Sequence, residues 1–192
     1  MKLVNGFGIN DYDGMISEVV DGKHKILTFY NTWSVMLQRC YCAKLHERCK
    51  TYVGCTVHSD WHSLSAFKCW FDQHYVAGWV LDKDLLVKGN TVYSEDTCVF
   101  VPQEINKFLT ERAACRGDTL IGVSPDGERF RGRYRKGGKT FSKTFDDEIS
   151  AHMFWKKNKC CVANELVIKY PLLDERAKKA LSLRYEGDCV YS

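Results

Sequence analysis

No apolar run in this sequence approaches the roughly 20 residues that a membrane-spanning helix requires, so no membrane partner is expected. The opening Met1-Lys2-Leu3-Val4-Asn5-Gly6 breaks off before the apolar core of a secretory signal forms, which points to the cytoplasm. There is no long repeat and no low-complexity segment. A strong excess of one charge is missing too: 28 Lys and Arg against 24 Asp and Glu leave a net charge of +4. Any case for a polyanionic partner must therefore rest on how the charge is distributed. Apolar material is plentiful, at 45% of 192 residues. That excludes a disordered chain and suffices for one compact domain or two small ones. Ten cysteines would suggest disulfides in a secreted protein; in a cytoplasmic one they read as reduced, mostly buried thiols.

Along the chain, Gly6, Gly8 and the turn Asp21-Gly22 flank short β-prone runs, including Ile26 to Tyr30, and predict an N-terminal hairpin. From Thr32, an acceptable N-cap, the positions Trp33, Met36, Leu37, Cys40 and Tyr41 keep a helical period. Leu64, Phe67, Trp70, Phe71 and Tyr75 repeat that spacing, and the aromatic stripe reads as core. Trp79 to Val92 predicts a second hairpin turning at Lys88-Gly89-Asn90, with a short helix near Ser94 and another opened by Pro102.

The pattern changes near Arg116-Gly117-Asp118, where we place a boundary. Beyond it three strands are expected: around Ile121-Gly122-Val123, over Arg129 to Arg135, and over Lys139 to Phe145. Their turns would be Ser124-Pro125-Asp126-Gly127 and Lys136-Gly137-Gly138. Asp146, Asp147 and Glu148 then open a helix, where the macrodipole favours negative charge. Its apolar stripe is expected at Ile149, Met153, Cys160, Ala163, Val167 and Tyr170, until Pro171 stops it. A last short helix is expected from Asp174 to Arg184.

The second of these strands carries the clearest chemistry. Arg129-Phe130-Arg131-Gly132-Arg133-Tyr134-Arg135 alternates, so a strand sets four guanidiniums on one face and the aromatics on the other. Four adjacent arginines repel one another, and the segment itself holds no compensating acids. They suit a surface that meets phosphates or guanine edges, both of which a planar guanidinium pairs bidentately. The competing reading is a solvated edge whose charges block aggregation. Lys136, Lys139 and Lys143 extend the charge, although Phe141 shares the parity of Lys139 and Lys143.

With Gly122-Val123-Ser124, Lys143-Thr144-Phe145-Asp146 and a helix containing Ala151, this order of elements resembles the DNA-binding domain of plant APETALA-type transcription factors and its phage relatives. The resemblance covers about forty residues and implies a sheet lying in the major groove of double-stranded DNA. It makes Arg129, Arg131, Arg133 and Lys143 the contact candidates, to which charge adds Arg135 and Lys139.

A second informative segment is Leu81-Asp82-Lys83-Asp84 with Gly89-Asn90 and Tyr93 to Pro102. Two acids two apart on a strand share a face and could bind one hard divalent cation, as a metal-assisted phosphodiester hydrolase requires. The bland alternative is a surface hairpin with ordinary charges. Together with Trp33, the run Met36 to Tyr41, the run Tyr52 to Val57, Trp61, Phe67, Trp70 and Gly78, the segment resembles phage-encoded His-Asn-His (ββα-metal) endonucleases.

That resemblance implies catalytic positions at Asp82, Lys83, Asp84 and Thr97, with Mg²⁺ or a similar ion at Asp82 and Asp84. Active members carry His and Asn where this chain has Asp82-Lys83 and Thr97, and a lysine is a poor general base. Two readings stay open: a metal-dependent DNA endonuclease, or a catalytically degenerate descendant that binds DNA or a host or phage protein.

The expected fold class is α+β, a ββα hairpin-and-helix module plus a three-stranded antiparallel sheet packed on a helix. The expected divisions are 1–31, 32–116 and 117–192. Cys40, Cys42, Cys49 and Cys55 lack the paired spacing of a structural zinc site, which is not expected. His58 or His62 could replace the missing base only by reaching the second hairpin.

Overall fold

The computed structural model describes residues 3–110 and 118–186 and shows a mixed α+β chain. It forms two compact units, Met1–Phe100 and Val101–Ser192. The first two residues of the expected boundary at Arg116-Gly117-Asp118 lie outside the described residues. No helix among the described residues is long and apolar enough to cross a membrane.

In the first unit, β1 (Ser17–Val20) and β2 (Lys23–Ile26) form the expected hairpin around Asp21 and Gly22, both at positive φ. Helix α1 (Thr28–Tyr41) starts a turn earlier than its predicted cap. Thr32 lies inside it and donates its hydroxyl to the Thr28 carbonyl at 2.8 Å. Phe29, Trp33, Met36, Leu37 and Cys40 are all buried at helical spacing. Burial of Phe29 thus overrides the β preference of Thr28-Phe29-Tyr30, because packing outweighs propensity. A short helix α2 (Ala43–Arg48) follows, then β3 (Thr56–Val57).

Helix α3 (Leu64–His74) is capped by Ser63, whose Oγ accepts from the Ala66 amide at 3.1 Å. The same hydroxyl donates to Asp11 at 2.6 Å, and Asp11 also accepts from the Ser65 amide at 2.9 Å, which ties the N-terminal segment to this helix. The core between the helices is aromatic. Trp61 meets Trp70 at 4.7 Å between ring centroids, Trp70 stacks on Phe100 at 5.3 Å, and Trp33 is fully buried with its indole N–H donating to the Trp61 carbonyl at 2.7 Å. Gly8 is required where it lies: a β-carbon there would come within 2.7 Å of the Trp33 ring and 2.4 Å of Leu37.

The second predicted hairpin does not form. Strand β4 (Val80–Asp82) pairs with β6 (Val99–Val101), while β5 (Val92–Tyr93) pairs in parallel with β3. The physical reason lies in the side chains between them. Asp82 Oδ1 accepts from the amides of Asp84 and Leu85 at 2.9 and 2.7 Å, which turns the chain out of β4. Asn90 then donates to the carbonyls of Lys83 and Val92 at 2.9 and 2.6 Å and closes the loop without a ladder. The helix expected near Ser94 is a single turn, closed by the Cys98 amide on the Ser94 carbonyl at 3.0 Å.

The second unit holds α4 (Gln103–Leu109), the antiparallel sheet β7 (Val123–Asp126), β8 (Arg129–Lys136) and β9 (Lys139–Phe145), then α5 (Glu148–Lys169) and α6 (Glu175–Leu183). The first turn of this sheet moves to Gly127-Glu128, since Asp126 pairs with Arg129; the second is Gly137-Gly138, both at positive φ, between the paired Lys136 and Lys139. Asp147 caps α5, its Oδ1 accepting from the Ser150 amide at 2.8 Å.

The stripe that α5 buries is not the one its spacing suggested. Ala151, Trp155, Lys159, Val162, Ala163 and Leu166 face inward, and Ile149 is 69% exposed. Apolar residues occur all round this helix, so the sheet chooses the face. Gly132 decides it, because a β-carbon there would fall 2.4 Å from the Ala151 carbonyl oxygen. Lys159, which a sequence reading would put in solvent, is buried with its ammonium donating to the Phe108 carbonyl at 2.7 Å and 3.5 Å from the centre of the Phe108 ring.

Candidate nucleic-acid interface

Strand register decides which groups share a face of the sheet. Gly132 opposes Val123 on one side and Lys143 on the other, and Tyr134 opposes Phe141. Direct partners in a ladder point the same way. Phe130, Gly132, Tyr134, Phe141 and Phe145 therefore form the face that α5 covers, with Phe154 reaching Tyr134 at 5.8 Å and Phe145 at 5.4 Å. Stacking of Tyr134 on Phe141 at 5.3 Å explains the parity of Phe141.

The opposite face carries Arg129, Arg131, Arg133 and Arg135. Across the ladders it adds Ser124 and Asp126 from β7 and Thr140, Ser142 and Thr144 from β9. The whole face is polar and holds no aromatic ring. Lys139 and Lys143 are set apart from the arginines: they oppose Lys136 and Gly132, on the side of the helix, where Lys143 lies over the Phe145 ring at 5.4 Å. Both are exposed. The two-residue turn Gly137-Gly138 fixes this, because it pairs odd positions of β9 with even positions of β8.

Compensating acids are present on the arginine face, contrary to the reading of the strand alone. Asp126 takes Arg131 at two points, Nε to Oδ2 at 3.2 Å and Nη2 to Oδ1 at 2.6 Å, and Thr144 donates its hydroxyl to Oδ2 at 2.9 Å. The Arg131 and Thr144 bonds hold the Asp126 carboxyl below the usual aspartate range. Arg129 meets Asp146, which is 88% exposed, at 2.8 Å, and its charge also acts on Asp126, its partner across the ladder. Arg135 reaches the Gly138 carbonyl only at 3.4 Å, and Arg133 has no ion pair among the described residues. The four arginines therefore grade from Arg131, firmly held, to Arg133, which is exposed and without an ion pair among the described residues.

The first unit places the expected catalytic residues differently. Strand β4 ends at Asp82, so Asp82 and Asp84 do not share a strand face. Lys83 is buried and its ammonium donates to Asp84 at 2.8 Å and to the Asn90 carbonyl at 2.5 Å. Thr97 donates to the Val92 carbonyl at 2.7 Å and meets the Ser94 hydroxyl at 2.9 Å. These bonds build the loop. At this loop the Lys83 ammonium lies against Asp84 Oδ1, and Asp82 Oδ1 accepts the amides of Asp84 and Leu85.

The histidines are engaged locally as well. His62 Nε2 lies 3.1 Å from the Tyr41 hydroxyl, His74 Nδ1 lies 2.7 Å from the Trp70 carbonyl, and His58 is beside Asp60. Cys40 and Cys55 are buried, Cys42 and Cys49 partly so, and burial pushes the Cys40 thiol up to about 12. Sequence reasoning missed Asp126 and Thr144. The two-residue spacing of Asp126 and Arg129 about Gly127-Glu128 is the signal that would have placed them on the arginine face.

No family model, curated protein or solved structure matches this chain. The geometry of the arginine face stands on its own as the basis for a functional reading.

Proposed function

We propose that the protein binds double-stranded DNA, with the arginine face of its three-stranded sheet against the major groove. The observation that carries the reading is the register: it gathers four arginines and five hydroxyl or carboxyl side chains on one face and sends the aromatics beneath α5. Neighbouring strands lie about 4.8 Å apart, so three span about 10 Å between outer backbones, close to the roughly 12 Å width of the major groove. Hydroxyls and guanidiniums suit base edges and phosphates alike. Likeness to the APETALA-type domain supports the same docking. Likeness of Leu81 to Pro102 to phage His-Asn-His nucleases supports an ancestral nuclease frame in which the loop at Asp82 now serves structure.

Fluorescence anisotropy with a labelled 20-base-pair duplex tests the reading. Binding should weaken as salt rises, and Arg133→Ala and Arg135→Ala should each lower the salt slope by about 1. Variants that bind DNA like the wild type would remove the face from consideration. The same protein is incubated with supercoiled plasmid and Mg²⁺: intact plasmid fits a DNA binder, while cleavage abolished by Asp82→Asn in a folded protein would restore the endonuclease.

A further inference from the structure

We infer that Arg131 is a guanine reader and that Asp126 is the positioning residue that makes it one, the inference resting on the DNA-binding reading above. A guanidinium carries five N–H groups. Asp126 occupies the side formed by Nε and Nη2, at 3.2 and 2.6 Å. One hydrogen on Nη2 and one on Nη1, neither used by that contact, form a second fork on the end of the group.

Asp126 is itself held, by the Thr144 hydroxyl at 2.9 Å from the far strand. The three side chains thus bridge β7, β8 and β9. The guanidinium is fixed in plane and direction on an open face: the Arg131 side chain keeps 43% exposure and Asp126 31%.

Such a fork needs two adjacent acceptors. In the major groove guanine offers them, N7 and O6, whereas adenine places a donor beside N7, and thymine and cytosine offer no such pair. A phosphate also offers paired oxygens, but the Asp126 carboxylate beside the fork repels it and cancels the charge of Arg131. Arg133 and Arg135 lack such a carboxylate partner among the described residues, and they are the phosphate contacts. Arg129, tied at one point to a solvent-exposed acid, lies between the two cases. Fixing the fork before binding also avoids the cost of ordering a long side chain in the complex.

Selection from a duplex library with a randomised 12-base-pair centre, followed by sequencing, reads this directly. The wild type should enrich guanine in at least one column. Arg131→Lys keeps the charge and loses the fork, and should flatten that column by roughly tenfold or more in preference. Asp126→Asn should flatten the same column while affinity for an unselected duplex holds or rises, since a negative charge has left the face. A merely structural Asp126 would lower affinity for every duplex together.

Thr144→Ala, which leaves Asp126 and Arg131 paired, should give a smaller loss in the same column and guards against misfolding of the other variants. Circular dichroism confirms that each variant is folded. Wild type that binds duplexes without a guanine column, or a column unchanged in Arg131→Lys, overturns the inference and leaves DNA binding intact. Wild type that retains no duplex overturns both.

Discussion

Both units hold a cation against an aspartate, Lys83 with Asp84 in the first and Arg131 with Asp126 in the second, yet their surroundings give them opposite roles. Lys83 is buried, donates also to the Asn90 carbonyl and lies 5.9 Å from the Tyr93 ring, so its charge is consumed in holding the loop between β4 and β5. Arg131 stands on an open face, 43% exposed, with Asp126 engaging its Nε and Nη2. Burial converts a charge into scaffolding, while a held but exposed charge is available for recognition. The first unit is closed by ring packing, and the second leaves one side of its sheet uncovered by its own helix.

The strongest attack on this contrast is Trp33→Ala. It removes a fully buried ring and the donor to the Trp61 carbonyl, and should cost about 3–5 kcal/mol. Denaturant unfolding measures it; a loss below about 1 kcal/mol would deny that aromatic packing closes the first unit. In the second unit the contact to break is Gly132→Ala. The added methyl meets a backbone carbonyl that cannot swing aside, and overpacking of this kind costs about 1–3 kcal/mol. An unchanged unfolding midpoint would show that α5 does not press on the sheet.

Lys83→Ala sharpens the comparison itself. It removes the buried ammonium that bonds the part-buried Asn90 carbonyl, and an acceptor left unmade in such a site costs about 1 kcal/mol. Loss of stability with DNA binding retained is the expected pattern, by denaturation and anisotropy on one preparation. Unchanged stability with loss of plasmid cleavage would return Lys83 to catalysis.

Much of the second unit was legible because its signals are local. Gly137-Gly138 fixes a two-residue turn, the arginine alternation fixes a strand with two unlike faces, and the acids at 146–148 mark the start of α5. The relation between β8 and β9 was legible too, had the turn been counted: it alone sends Lys139 and Lys143 away from the arginines. The first unit was read less well where spacing met competing interactions. Lys88-Gly89-Asn90 does look like a hairpin turn, but the carboxylate of Asp82 and the amide of Asn90 satisfy the backbone locally, which frees β4 to pair with β6 and β5 with β3. No periodicity reports such side-chain to backbone bonds.

The sequence by itself determined the mixed class, the helical aromatic stripes, the acid-marked start of the helix at Glu148 and the two-faced basic strand, since each depends on neighbours within a few residues. Tertiary structure alone decided which face α5 buries, that Lys83 and Lys159 are interior, and that Asp126 and Thr144 converge on Arg131. Those outcomes depend on groups from separate strands and helices competing for the same space and the same hydrogen bonds. Arg131 was set apart from the other arginines of that face only when three strands brought an acid, a hydroxyl and a guanidinium within bonding distance.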